Sequence, residues 1–67
     1  MKAGELIKYY RDKTAMSQTS LAIKSGVSQT TISAIEHGTD PTWENMKKLA
    51  LALNITVDDL MGTEVKN

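Results

Sequence analysis

Apolar residues recur along this chain at three- and four-residue intervals and nowhere alternate cleanly with period two, a pattern that admits helices and leaves no strand to build a sheet. Ala3, Ile7 and Tyr10, with Leu6 beside them, form the first stripe. Met16 follows, then Leu21, Ala22 and Val27, then Ile32 and Ile35. Met46, Leu49, Ala50 and Leu53 make the longest stripe, which Ile55, Val57, Leu60 and Met61 close. The stripes break where helix-start and helix-stop chemistry sits. Ser17, Ser28 and Thr42 each stand where a hydroxyl can accept the orphan amides of a first turn, and Thr56 with Asp59 three residues on reads as a capping box. Gly26 suits a left-handed position after one helix, Gly38 ends the next ahead of Thr39-Asp40-Pro41, and Asn54 ends a fourth. The spacing therefore predicts five helices over residues 3–13, 18–25, 29–36, 43–53 and 57–61. A chain of 67 residues makes one small all-α domain, expected to span 1–67 with 63–67 as a frayed tail.

Composition removes most functions. With no Cys there is no disulfide, thiolate nucleophile or Cys-type zinc site, and a single His cannot supply a metal cluster. No activated nucleophile and no paired acids stand out, so the expectation is a non-enzyme without metal or cofactor. No apolar run approaches the roughly 18 residues of a membrane span and no signal peptide is evident, so a cytoplasmic, nucleoid-associated protein is expected. Eight Lys and Arg balance eight Asp and Glu, giving a formal net charge of zero. That total sits awkwardly with nucleic-acid binding, which usually shows a basic excess.

Residues 17–33 carry the unusual composition. They hold eight of the thirteen Ser and Thr in the chain, together with Gln18 and Gln29, and Lys24 is their only charge. Ser and Thr compete with the helix for backbone hydrogen bonds, so one reading is a polar, loosely helical loop. The other is two helices joined at Gly26-Val27, the second offering short uncharged groups at its N-terminal end. Gln29, Thr30, Ser33 and Ala34 then fall opposite or beside the Ile32 and Ile35 stripe. Carboxamides, hydroxyls and methyls are the groups that read base edges in a major groove. Periodicity alone leaves both readings open.

The order of short motifs narrows them. Ser17-Gln18, Leu21-Ala22, Gly26-Val27-Ser28, Ile32-Ser33, Ile35-Glu36, Gly38, Pro41, Leu49-Ala50, Ala52-Leu53 and Asp59-Leu60 stand at fixed offsets, and Gly4-Glu5, Ile7 and Arg11 precede them. Over residues 3–61 this order resembles the lambda-repressor/Cro-type (Xre-like) helix-turn-helix family. The resemblance implies a compact five-helix, lambda-repressor-like DNA-binding domain whose helices 2 and 3 form the helix-turn-helix. It implies a small transcriptional regulator, expected to be a repressor of bacterial, phage or mobile-element origin, that binds a double-stranded operator as a dimer. Gln29, Thr30, Ser33 and Ala34 match base-reading positions. Gln18, Ser28, Lys24, His37 and Arg11 match or neighbour phosphate-contacting ones. Arg11 is also expected to pair with Glu36, a bidentate bond that would tie helix 3 to helix 1.

Each assignment has a plainer counterpart. Gln18 can serve as a second capping group, His37 as surface filler, and the polar side chains of helix 3 as ordinary solvated surface. Tyr9 and Trp43 are expected to be half-buried at the edges of their stripes. Two positions depart from the family's pattern: Asp40 puts an acid where many relatives carry a base after the glycine, and Ala15 stands where relatives often have glycine. Leu51 lies off its helix's stripe and, with Val57 and Met61, is expected to form a two-fold dimer interface through helices 4 and 5. The same patch suits a protein-interaction module such as the antitoxin of a toxin–antitoxin pair, with DNA binding secondary. The charges also divide. Residues 1–37 carry Lys2, Lys8, Arg11, Lys13 and Lys24 against Glu5, Asp12 and Glu36, a net of +2. The remainder sets Lys47, Lys48 and Lys66 against Asp40, Glu44, Asp58, Asp59 and Glu64, a net of −2.

Overall fold

Four of the five helices begin where a hydroxyl accepts a free amide of the first turn; α1, which follows Lys2, has no such cap. A computed structural model describes residues 2–62, so the expected frayed tail at 63–67 lies outside the described residues. Its helices are α1 (Ala3–Lys13), α2 (Gln18–Ser25), α3 (Gln29–Glu36), α4 (Trp43–Leu53) and α5 (Val57–Met61), with the bounds that the sequence predicts. Ser17, Ser28 and Thr42 accept from the amides of Ser20, Thr31 and Asn45, at 3.0, 3.2 and 3.1 Å. Thr56 and Asp59 satisfy each other reciprocally at 3.1 and 3.0 Å, the capping box expected.

Helices α1, α3 and α4 end alike. The amide of Met16 reaches the Arg11 carbonyl at 2.9 Å and that of Ala15 reaches Asp12 at 3.1 Å. Thr39 and Gly38 repeat the pair on Ala34 and Ile35, as do Ile55 and Asn54 on Ala50 and Leu51. This is the Schellman arrangement, which needs a left-handed residue just past the helix. Gly38 supplies it with φ 120°, Asn54 with φ 61°, and Ala15 with φ 55°. Ala15 thus holds the conformation that a glycine would hold there, at a steric cost that glycine avoids.

The core draws on each predicted stripe: Ile7, Leu21, Val27, Ile32, Ile35, Leu49, Ala50, Leu53 and Leu60 are buried, joined by Ala52 from outside the stripes, while Met61 is exposed. Each large aliphatic side chain so buried contributes about 1.5–3 kcal/mol. α2 packs against α3 and α4, while α1 packs against α3 and α5. α1 meets α3 closely at Gly4, where a Cβ would overlap the carbonyl oxygen of Ile35 and come within 2.9 Å of its carbon. Only a residue without a side chain lets α1 lie this near to the C-terminal turn of α3.

Tyr9 is 48% exposed, close to the half-buried position expected of it, whereas Trp43 at 59% is more open. Each ring packs against its own helix rather than the core. Tyr9 meets Tyr10 edge-on with centroids 5.1 Å apart and lies under the Lys13 ammonium, and Lys47 sits 5.8 Å from the Trp43 ring. Leu51 is 81% exposed and Met61 47%, whereas Val57 is partly buried against the core. Ile23 on α2, which the stripes did not single out, is 80% exposed.

Candidate nucleic-acid interface

The turn between α2 and α3 is built from a left-handed Gly26, φ 80°, and from Val27, whose side chain is buried. Anchoring Val27 inward fixes how α3 leaves the turn. Ile32 and Ile35 then face the core, and Gln29, Thr30 and Ala34 are exposed with Ser33 half-buried beside them. These four expected base-reading residues line one open concavity of about 610 Å³ together with Gln18 and His37. Of the residues assigned to phosphate, Gln18 and His37 reach this surface; Ser28, Lys24 and Arg11 do not line it. Ser28 is occupied in capping α3 and also donates to the Thr31 hydroxyl at 2.9 Å.

The carboxamides at the concavity are held from two sides. Thr19 on α2 donates its hydroxyl hydrogen to Gln29 Oε1 at 3.2 Å. Gln18 Nε2 donates to Glu36 Oε1 at 3.0 Å. The side chain of Gln18 therefore braces α2 against the end of α3, which differs from both the capping and the phosphate roles weighed for it.

Glu36 is the hub of that brace. Arg11 Nε donates to its Oε2 at 2.9 Å and Arg11 Nη2 to its Oε1 at 3.1 Å. The third donor, Nη1, reaches the Met16 carbonyl at 2.9 Å. One guanidinium thus joins α1, the turn after it and α3. The side chains are 12% and 4% exposed, so the pair is largely shielded from water. Burial on its own pushes the Glu36 carboxyl up. The hydrogen bonds from Arg11 and Gln18 and the charges of Arg11 and Lys8 outweigh it and hold the carboxyl below its ordinary value. The hydrogen bond to Glu36 likewise raises Arg11 above its ordinary value, against the effect of burial. With three of its donors engaged, Arg11 is a structural cation first.

His37 follows Glu36 and places Nδ1 2.8 Å from the Ser33 carbonyl oxygen. A carbonyl only accepts, so Nδ1 carries the hydrogen of this bond. Nε2 is left to present a lone pair when the ring is neutral and a donor when it is protonated.

Sequence reasoning passed over Thr19, the Met16 carbonyl and Gly4. Thr19 and Gln29 stand ten residues apart across a turn, a separation with no periodic signature. A backbone carbonyl carries no residue code, and the sequence shows Gly4 only as part of a motif.

Three comparisons bear on this geometry. Residues 7–60 match a family model described as helix-turn-helix. Over 63 residues, 91% of this chain, it is 35% identical to the HTH-type transcriptional regulator SlrR of Bacillus subtilis (strain 168), of whose length it spans 41%. Over 66 residues, 97% of the chain, it is 33% identical to the ImmF control region 10 kDa protein of Bacillus phage phi105, spanning 73% of that protein. Among solved structures, the crystal structure of SinR, the master regulator for biofilm formation, in complex with DNA is similar at a TM-score of 0.82 and 33% identity, over 87% of this chain and 95% of that one.

Proposed function

The chain belongs to the helix-turn-helix family, and from that premise we propose that it binds double-stranded DNA sequence-specifically as a small transcriptional repressor. The observation that carries the reading is the concavity on α3. Exposed Gln29, Thr30 and Ala34, with half-buried Ser33, form an uncharged surface of hydrogen-bonding and methyl groups on a helix whose far side is locked into the core. An α-helix fits the major groove, and carboxamide, hydroxyl and methyl groups complement its base edges. Gln29 is assigned to an adenine edge, Thr30 and Ser33 to neighbouring bases or sugars, and Ala34 to close apolar approach. Gln18, through its amide at the start of α2, and His37 flank them as phosphate contacts, with Ser28 and Lys24 nearer the periphery. Repression acts by occupancy, without catalysis or cofactor.

A dimer would set two copies of α3 into successive major grooves roughly 34 Å apart on a palindromic operator. The exposed Leu51 and Met61 on α4 and α5 support that arrangement. A cytoplasmic, nucleoid-associated location accords with helices none of which, among the described residues, is long and apolar enough to cross a membrane. A second reading, a partner-binding protein of antitoxin type, is favoured by Ile23 and Leu51, each about four-fifths exposed. A stoichiometric protein partner recovered with the chain would support it.

Selection of bound duplexes from a random pool tests the first reading. An enriched half-site, with Gln29→Ala relaxing preference at one base position, is the expected result. A pool that returns no preference at any position overturns it.

A further inference from the structure

The two side-chain bridges from the start of α2 reach opposite ends of α3. Gln18 goes to Glu36 at the C-terminal end and Thr19 to Gln29 at the N-terminal end. Neighbouring residues on one helical turn thereby hold the helix that lines the concavity at both extremes. The Gln18 bridge is anchored by the Arg11–Glu36 pair, so the first turn of α2 is fixed relative to α3 before any ligand arrives.

Gln29 is the first residue of α3 and is exposed, with a carboxamide that rotates freely unless something holds it. A carboxamide can read an adenine edge only when its oxygen and one N–H lie along the same edge and face the base. The oxygen has two lone pairs, and the Thr19 hydroxyl occupies one of them at 3.2 Å. That leaves the other lone pair and both N–H hydrogens for the concavity. We propose that Thr19 is a positioning residue for base reading: through its hydroxyl it orients the Gln29 carboxamide and so sets the selectivity of that contact, without touching DNA itself. Thr19 is exposed and caps no helix, and among the described residues its hydroxyl bonds to Gln29 alone. The bond is a link within the molecule, and it lowers the ordering cost of the contact it prepares.

The inference rests on the DNA-binding reading for its consequence, but the bond itself has a readout that does not. Thr19→Val keeps the shape and removes the hydroxyl; Thr19→Ser keeps the hydroxyl. In the free protein, side-chain 15N relaxation should show the Gln29 carboxamide losing order in Thr19→Val and retaining it in Thr19→Ser, with unchanged melting temperatures. In duplex selection, Thr19→Val should reduce discrimination at the Gln29 base position at least about fivefold, the lower end of what one bidentate contact supplies. Discrimination at other positions should hold, Thr19→Ser should restore the profile, and in a Gln29→Ala background Thr19→Val should add nothing. A Thr19→Val profile identical to that of the parent overturns the positioning role and leaves DNA binding standing. A parent that selects no sequence overturns the DNA reading. In that case a Gln29 carboxamide equally ordered with and without the Thr19 hydroxyl also removes the bridge.

Discussion

Arg11 and Glu36, 25 residues apart in sequence, meet through two N–H···O bonds of 2.9 and 3.1 Å. Together they join the end of α1 to the end of α3. Removing the carboxylate leaves a guanidinium with 12% of its side chain exposed and only the looser, exposed Asp12 carboxylate at 3.9 Å for a counter-charge, and it frees Gln18 as well. Unpairing a buried ion costs about 3 kcal/mol at the lower end. Glu36→Ala should therefore lower the melting temperature by roughly 12 °C or more in a domain of this size. Thermal unfolding followed by circular dichroism measures it, and a midpoint within error of the parent would remove the pair from the account of stability.

The same carboxylate sets an acid limit. Glu36 is held below its ordinary value in the folded protein, because the bonds from Arg11 and Gln18 outweigh its burial. The unfolded chain titrates near the ordinary roughly 4.3. Between the two values the unfolded state binds the extra proton, so stability rises with pH there. The contribution is complete above the unfolded value and disappears as pH falls through the folded one. Melting temperature against pH should thus fall steeply on the acid side of about 4.3 in the parent and more gently in Glu36→Gln. Parallel curves for the two proteins would contradict it.

At Ala15 the chain bears a backbone cost that one substitution relieves. Its φ of 55° closes the Schellman turn whose next residue, Met16, gives its carbonyl to Arg11. A non-glycine residue in this region costs about 1 kcal/mol, and glycine returns part of the gain as unfolded-state entropy. Ala15→Gly should stabilise by about 0.5 kcal/mol, a rise of roughly 2–4 °C. A lower melting temperature would show that the turn's flexibility outweighs its strain.

Helix bounds were fully legible because caps and stripes coincide: Ser17, Ser28, Thr42 and Thr56 stand one residue before their helices, and Ile7, Leu21, Ile32, Leu49 and Leu60 mark the buried faces. The concavity was legible in part. Gln29, Thr30, Ser33 and Ala34 share a helix face, which spacing reveals, and they do line one surface. Contacts between helices were not legible from spacing. Thr19 meets Gln29, and Gly4 meets the Ile35 carbonyl, only because the Gly26-Val27 turn and the core set the angles between helices. Trp43 is more open than its stripe suggests for a related reason. A stripe edge indicates which way a ring points, and the ring's burial depends on whether a neighbouring helix covers it.

The exposed apolar residues of α4 and α5 make a claim about assembly. Leu51 stands 81% exposed with Met61 at 47%, while Val57 already packs inward and has less to offer a partner. If two copies join through this surface, Leu51→Glu buries a charge against its own symmetry mate and should give a monomer with an unchanged fold. Light scattering after size exclusion at micromolar concentration distinguishes the species. A parent already monomeric there argues against the interface.

Charge placement limits how many DNA phosphates this chain can neutralise. Arg11 is engaged by Glu36 and Met16, Lys24 is the one charge in residues 17–33, and Asp40 follows α3 as an exposed acid. Neutral hydrogen bonds on α3 then carry selectivity, and few cations remain to release counterions from the DNA backbone. Each phosphate neutralised contributes about −0.9 to the slope of log K against log salt, so a slope no steeper than about −3 per chain is expected. Asp40→Lys should tighten binding to all sequences alike and steepen that slope by about 1. Fluorescence anisotropy across a salt series measures both. A slope unmoved by Asp40→Lys would place the segment after Gly38 away from the backbone, and a steep parent slope would overturn the few-phosphate reading outright.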